Sequence, residues 1–168
     1  MNPGKISNVI RLLNNRYAKF GDYKADNSTI LNHSLRSARF MQCILHDTPS
    51  AITSALLHNY GLVAKGIPAV LENHETVGVQ ALKRLGFPET VTKPISLQPL
   101  ALRYLNTMHK NNGTKMTFEE VVKFQNESYY HEAITLRTVV DINRRDCPLL
   151  GNSILSFREY LEHVLRHT

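Results

Sequence analysis

Cysteine is scarce in this chain. Cys43 and Cys147 are the only two, neither has a second thiol at C-x-x-C spacing, and two thiols make neither a disulfide framework nor a thiolate metal site. No apolar run approaches the ~20 residues that cross a bilayer. The opening Met1-Asn2-Pro3-Gly4-Lys5 lacks the continuous apolar stretch of a signal peptide. The cytoplasm is therefore the expected compartment, with no membrane partner. Alternating apolar and polar residues, the mark of half-buried strands, do not stand out, and neither do repeats or low-complexity stretches. The glycines lack phosphate-loop spacing, and Ser34, Ser37 and Ser54 lie outside the G-x-S-x-G frame of a nucleophile elbow.

What is present has a helical period. The 168 residues, 42% hydrophobic and 20% charged, suit one globular domain over 1–168 with a core that needs no staples. Ile6, Val9, Ile10, Leu12 and Leu13 recur at helix spacing, and residues 20–27 read as a polar turn. Ser28 is the expected N-cap of a helix reaching about His46, with Cys43 as a small buried residue on it. Thr48-Pro49 starts the next helix, which Gly61 is expected to stop, followed by loop to about Pro68. A further helix carries His74 and closes at Gly86. Pro88, Pro94 and Pro99 forbid one long helix there. Leu100 to Met108 is the next helical stretch, and Thr117 with Glu120 forms a capping box. Two more helices are expected from about Tyr129 to Asn143 and Ser153 to His167. The fold class is all-α.

The formal charge of +6 raises the question of nucleic acid. The densest basic pairs are only Lys83-Arg84 and Arg144-Arg145, so a solvated basic surface is the expectation. A nucleotide- or nucleic-acid-binding module using the arginine-bearing C-terminal helices is the weaker reading.

One stretch organises the rest. Ser54-Ala55-Leu56-Leu57-His58-Asn59-Tyr60-Gly61 ends an apolar run in an imidazole, an amide, a phenol and a glycine, with His33 upstream and His74 downstream. Ala55 to Gly61 resembles the histidine-aspartate signature of HD-domain proteins, usually ALLHDxGH. Leu31 to Ala38 resembles their first-histidine helix, and Asn73 to Gly78, followed by Leu85-Gly86-Phe87, their third-histidine helix. The nearest subgroup is the small HD proteins that include the phosphonate-cleaving mixed-valent di-iron oxygenases. Tyr23 and Asp26 match that subgroup's tyrosine and acidic residue ahead of the first histidine. The resemblance implies a helical bundle with His33, His58 and His74 at metal-ligand positions.

The departures bear on chemistry. Asn59 stands where the family has its bridging aspartate, and Gln98 where it has a fourth histidine. Val140 falls on the final metal-binding aspartate, while Asp141 comes one position late, turned by about 100° on a helix. Leu62 replaces the histidine closing the signature, and Leu102 a substrate-binding lysine. The carboxylates that would neutralise and bridge two ions are therefore missing. The resemblance thus implies a degenerate protein without the dinuclear centre, with no cofactor, catalysis lost, and a small molecule or protein partner in the residual cleft. The alternative is a mononuclear phosphohydrolase or oxygenase holding one Fe, Mn or Zn ion on His33 and His58, with Asp141, Asp26 or Tyr23 as third ligand.

Overall fold

The computed structural model describes residues 1–22, 24–25, 28–46, 48–64, 73–142 and 153–168. Tyr23, Asp26, Cys147 and the pair Arg144-Arg145 lie outside them. The described residues form ten α-helices: α1 Pro3–Phe20, α2 Ile30–Ile44, α3 Pro49–Leu57, α4 Tyr60–Ala64, α5 His74–Arg84, α6 Glu89–Ser96, α7 Gln98–Met108, α8 Phe118–Gln125, α9 Tyr130–Ile142 and α10 Arg158–Arg166. A 3-10 turn, Ile154–Phe157, leads into α10. The all-α expectation holds, with one small exception. Lys24–Ala25 and Ser28–Thr29 pair antiparallel as two-residue strands, β1 and β2, in and just after the segment read as a turn.

Local signals explain most boundaries. Asn2 accepts a hydrogen bond from the Lys5 amide at the start of α1. Thr29, not Ser28, caps α2: its side chain accepts from the Asn32 amide, one residue later than the sequence suggested. Such a cap contributes about 1 kcal/mol. Thr117 and Glu120 close the expected capping box on α8. The three prolines act as anticipated: Pro88 precedes α6, Pro94 lies two residues before its end, and α7 starts afresh at Gln98 after Leu97. Gly86 takes φ +92° just beyond α5, a conformation that glycine adopts without a Cβ penalty.

Two sequence expectations are overturned. Gly61 does not stop a helix: α3 ends at Leu57, and Gly61 is the second residue of α4. Its role is close approach. A Cβ at Gly61 would overlap the carbonyl oxygen of His74, and one at Gly78 would lie 2.8 Å from the Gly61 nitrogen, so α4 and α5 cross backbone to backbone. Cys43, expected to be buried, is exposed because the last turn of α2 runs beyond the core.

The main core gathers residues from α1, α2, α3, α4, α5, α6, α9 and α10, with α3 at its centre: Ile52, Ala55, Leu56 and Leu57 are all fully enclosed. Two polar contacts hold α3 in place. The Tyr17 hydroxyl donates to the Leu56 carbonyl at 3.1 Å, and Ser54 Oγ lies 2.8 Å from the Ser50 carbonyl and 3.1 Å from that of Val91 on α6. A smaller cluster of Leu97, Ala101, Met116, Val121, Phe124 and Ala133 joins α7 and α8 to the start of α9. No described helix is long and apolar enough to cross a membrane.

Candidate functional site

His58 is the buried histidine at the end of the organising stretch. It caps the C-terminal end of α3 and is 5% exposed. Its Nδ1 lies 2.8 Å from the Ala55 carbonyl oxygen, which can only accept, so Nδ1 carries the hydrogen and Nε2 the lone pair. That Nε2 is buried and has no protein hydrogen-bond partner. Burial pushes the imidazole pKa down to about 3, and the nearby His33, Arg137 and His74 add to the effect. His58 is thus a neutral acceptor at any ordinary pH.

Around it stand side chains from three further helices. His33, half-buried in the middle of α2, meets His58 edge to face with ring centroids 5.0 Å apart. His74 opens α5, where the crossing of Gly61 and Gly78 presses α5 against α4, and its Nε2 lies 3.4 Å from Glu75 Oε1. Arg137 comes from α9, close enough for its charge to act on His58. The structure therefore brings His33 and His58 into contact, with His74 near enough for its charge to bear on His58. Arg137 and Glu75 were missed there as site residues. The arginine was detectable in principle, because Arg137 and Asp141 have the i, i+4 spacing of a helical ion pair.

The other sequence candidates have different surroundings. Asn59 is buried beside His58 and offers an amide rather than a carboxylate. Gln98 is buried at the start of α7, where its amide nitrogen donates to the Ala133 carbonyl at 3.1 Å and lies 3.4 Å from that of Pro94, leaving Oε1 without a partner. Val140 is packed into the main apolar core with Leu136 and Val139. Asp141 faces away from that core and clasps Arg137 with both oxygens, one at 3.0 Å from Nε. Leu62 is buried, and Leu102 is 37% exposed on α7. Among the described residues, no three His, Cys, Asp or Glu side chains are arranged to hold a metal ion.

The surroundings of His58 are therefore a second imidazole, an amide and a guanidinium clamped by its own carboxylate. They offer hydrogen-bond acceptors and one fixed positive charge. No family model matches the chain. A curated protein, the hydroxymethylphosphonate dioxygenase of Gimesia maris, is 29% identical over 192 residues, an alignment covering 99% of this chain and 91% of that protein. The chain is a distant, full-length homologue of a hydroxymethylphosphonate dioxygenase, with the all-helical architecture expected of the HD-domain oxygenases it resembles.

Proposed function

We propose that this chain is an oxygenase-like HD-domain protein that has given up the dinuclear centre, and that the former metal cleft now binds a small molecule or a protein partner. The observation that carries the reading is the charge around His58. The guanidinium of Arg137 acts on His58 against added positive charge. The donors at hand do not fit two cations. Asn59 and Gln98 are neutral amides, Val140 is an apolar core residue, and Asp141 is engaged by Arg137. Two ions close together at low effective dielectric repel strongly unless carboxylates lie between them.

The ligand that suits such a cleft has a hydrogen-bond donor for the lone pair of His58 Nε2 and for the unpartnered Oε1 of Gln98. Each of these buried acceptors costs roughly 1–3 kcal/mol while unsatisfied, so a donor-bearing ligand gains by filling them. The test is a count of bound ions by elemental analysis after anaerobic incubation with excess Fe(II), Mn(II) or Zn(II) and desalting. The expected result is well under one ion per chain with each metal. Two ions per chain, lost together in His58→Ala, would overturn the reading.

One observation favours a second reading. A buried imidazole whose Nδ1–H is held by a backbone carbonyl and whose Nε2 is unpartnered is the way proteins orient a metal-ligating histidine. A single Fe, Mn or Zn ion on His58 and His33 is the corresponding alternative. It predicts one ion per chain in the same assay, with loss in either His33→Ala or His58→Ala.

A further inference from the structure

The basic residues of α1 are spread through the sequence, and only the helix gathers them. At 100° per residue, Lys5, Asn8, Arg11, Leu12, Asn15, Arg16 and Lys19 fall within an arc of about 140°. All seven are exposed. The complementary arc holds Ile6, Val9, Ile10, Leu13 and Tyr17, all buried. No acidic residue occurs in α1, and the first in the whole chain is Asp22. None of the ion pairs among the described residues involves this helix.

The side chains of this face stand far enough apart to leave open hollows between them. An open cleft of about 570 Å³ is lined by Asn8, Arg11, Leu12, Asn15, Arg16 and Lys19. A neighbouring cleft of about 330 Å³ shares Asn8 and Arg11 and brings in Arg158 from α10, which is itself paired with Glu162. Four unpaired cations interleaved with amides, along about 21 Å of helix from Lys5 to Lys19, match a row of phosphates. Amide and guanidinium groups are the usual donors to phosphate oxygens.

We propose that the solvent face of α1 is a sequence-independent binding surface for the phosphodiester backbone of duplex nucleic acid. The chemistry argues against other polyanions. An anionic bilayer also attracts a basic face, but more strongly when an apolar face can insert between headgroups, and the apolar face of α1 is already spent on the core. Single strands are held largely by stacking on exposed rings. The ring at this edge, Phe20, is half-buried with the Lys19 ammonium 5.2 Å from its centroid. The surface is independent of the histidine cleft, so its failure leaves the proposed function untouched.

The test is fluorescence anisotropy of a labelled 20-base-pair mixed-sequence DNA duplex titrated with the full chain at several KCl concentrations from about 50 to 200 mM. The logarithm of affinity should fall with the logarithm of salt at a slope of about −3 to −4, as four neutralised phosphates require. Arg11→Gln, Arg16→Gln and Lys19→Gln together should bring the slope up by about 3 units and weaken binding at least tenfold at the lowest salt. Lys19→Gln alone, a single exposed change, should remove about one unit and serves if the triple variant does not fold. Lys83→Gln with Arg84→Gln, the densest basic pair in the described part of the chain, should change neither quantity. The proposal is overturned if the duplex does not bind at the lowest salt, or if the Lys83 and Arg84 variant loses as much as the α1 variants. It is equally overturned if a single strand, or vesicles rich in phosphatidylserine, bind more tightly than the duplex.

Discussion

The imidazoles of His33 and His58 meet edge to face, 5.0 Å between ring centroids, although one stands in the middle of α2 and the other at the end of α3. His33 disfavours a proton on His58, which is held at a pKa of about 3 chiefly by burial. An unfolded His58 titrates near 6.5.

This gap sets a pH dependence. Between about pH 6.5 and 3 the unfolded chain takes up a proton at His58 that the folded chain does not, so stability falls as the pH falls through that window. The slope from this one group is at most about 1.4 kcal/mol per pH unit. Chemical denaturation of the metal-free protein at several pH values should show it, and His58→Gln should flatten it. An equal slope in the variant would show that other groups control acid unfolding.

The crossing of α4 and α5 makes a prediction that depends on space alone. Gly61→Ala places a Cβ on the His74 carbonyl, with backbone on both sides and nothing flexible to move. A loss of about 3 kcal/mol or more in unfolding free energy is expected, as for severe overpacking. Gly4→Ala is the contrast: its Cβ would meet only the Asn2 side chain at 3.8 Å on an exposed turn of α1. That change should stabilise by up to about 1 kcal/mol, from helix propensity. Equal effects from the two changes would contradict the crossing.

Asp141 offers a third test. Its carboxylate is the partner of Arg137, so Asp141→Asn should cost about 1 kcal/mol of stability, for a half-exposed ion pair on a helix. Bound metal, if any is measured, should not change. A metal content that falls in step with Asp141→Asn would make the carboxylate a ligand and support the single-ion alternative.

Local chemistry was legible in the sequence. The Thr117–Glu120 box and the proline punctuation each depend on neighbours a few residues away. What escaped depends on distant chain. Gly61 reads as a stop until α5 is known to cross it, and only then does its missing Cβ acquire a reason. Cys43 has an apolar helix pattern around it, yet the final turn of α2 outruns the core. Arg137 acts on His58 only because α9 packs against α3. The basic arc of α1 is invisible to a search for adjacent charges, because a helix spaces it at three and four residues.

The central claim is that three positions, now Asn59, Gln98 and Val140, are what denies this cleft its metals. Asn59→Asp, Gln98→His and Val140→Asp together restore a bridging anion, an imidazole and a terminal carboxylate in the positions the family resemblance assigns. Without metal the variant should be less stable than the wild type. A carboxyl group would stand where the Val140 side chain packs in the apolar core, and the bond from Gln98 to the Ala133 carbonyl would be lost. With metal, binding to the folded state should return that stability. The decisive measurement is the melting temperature and ion content of wild type and triple variant, each with and without excess Fe(II). The account predicts at least one added ion per chain and a metal-dependent rise in melting temperature in the variant, with neither in the wild type. A wild type that already takes two ions, or a folded variant that gains none, would contradict it.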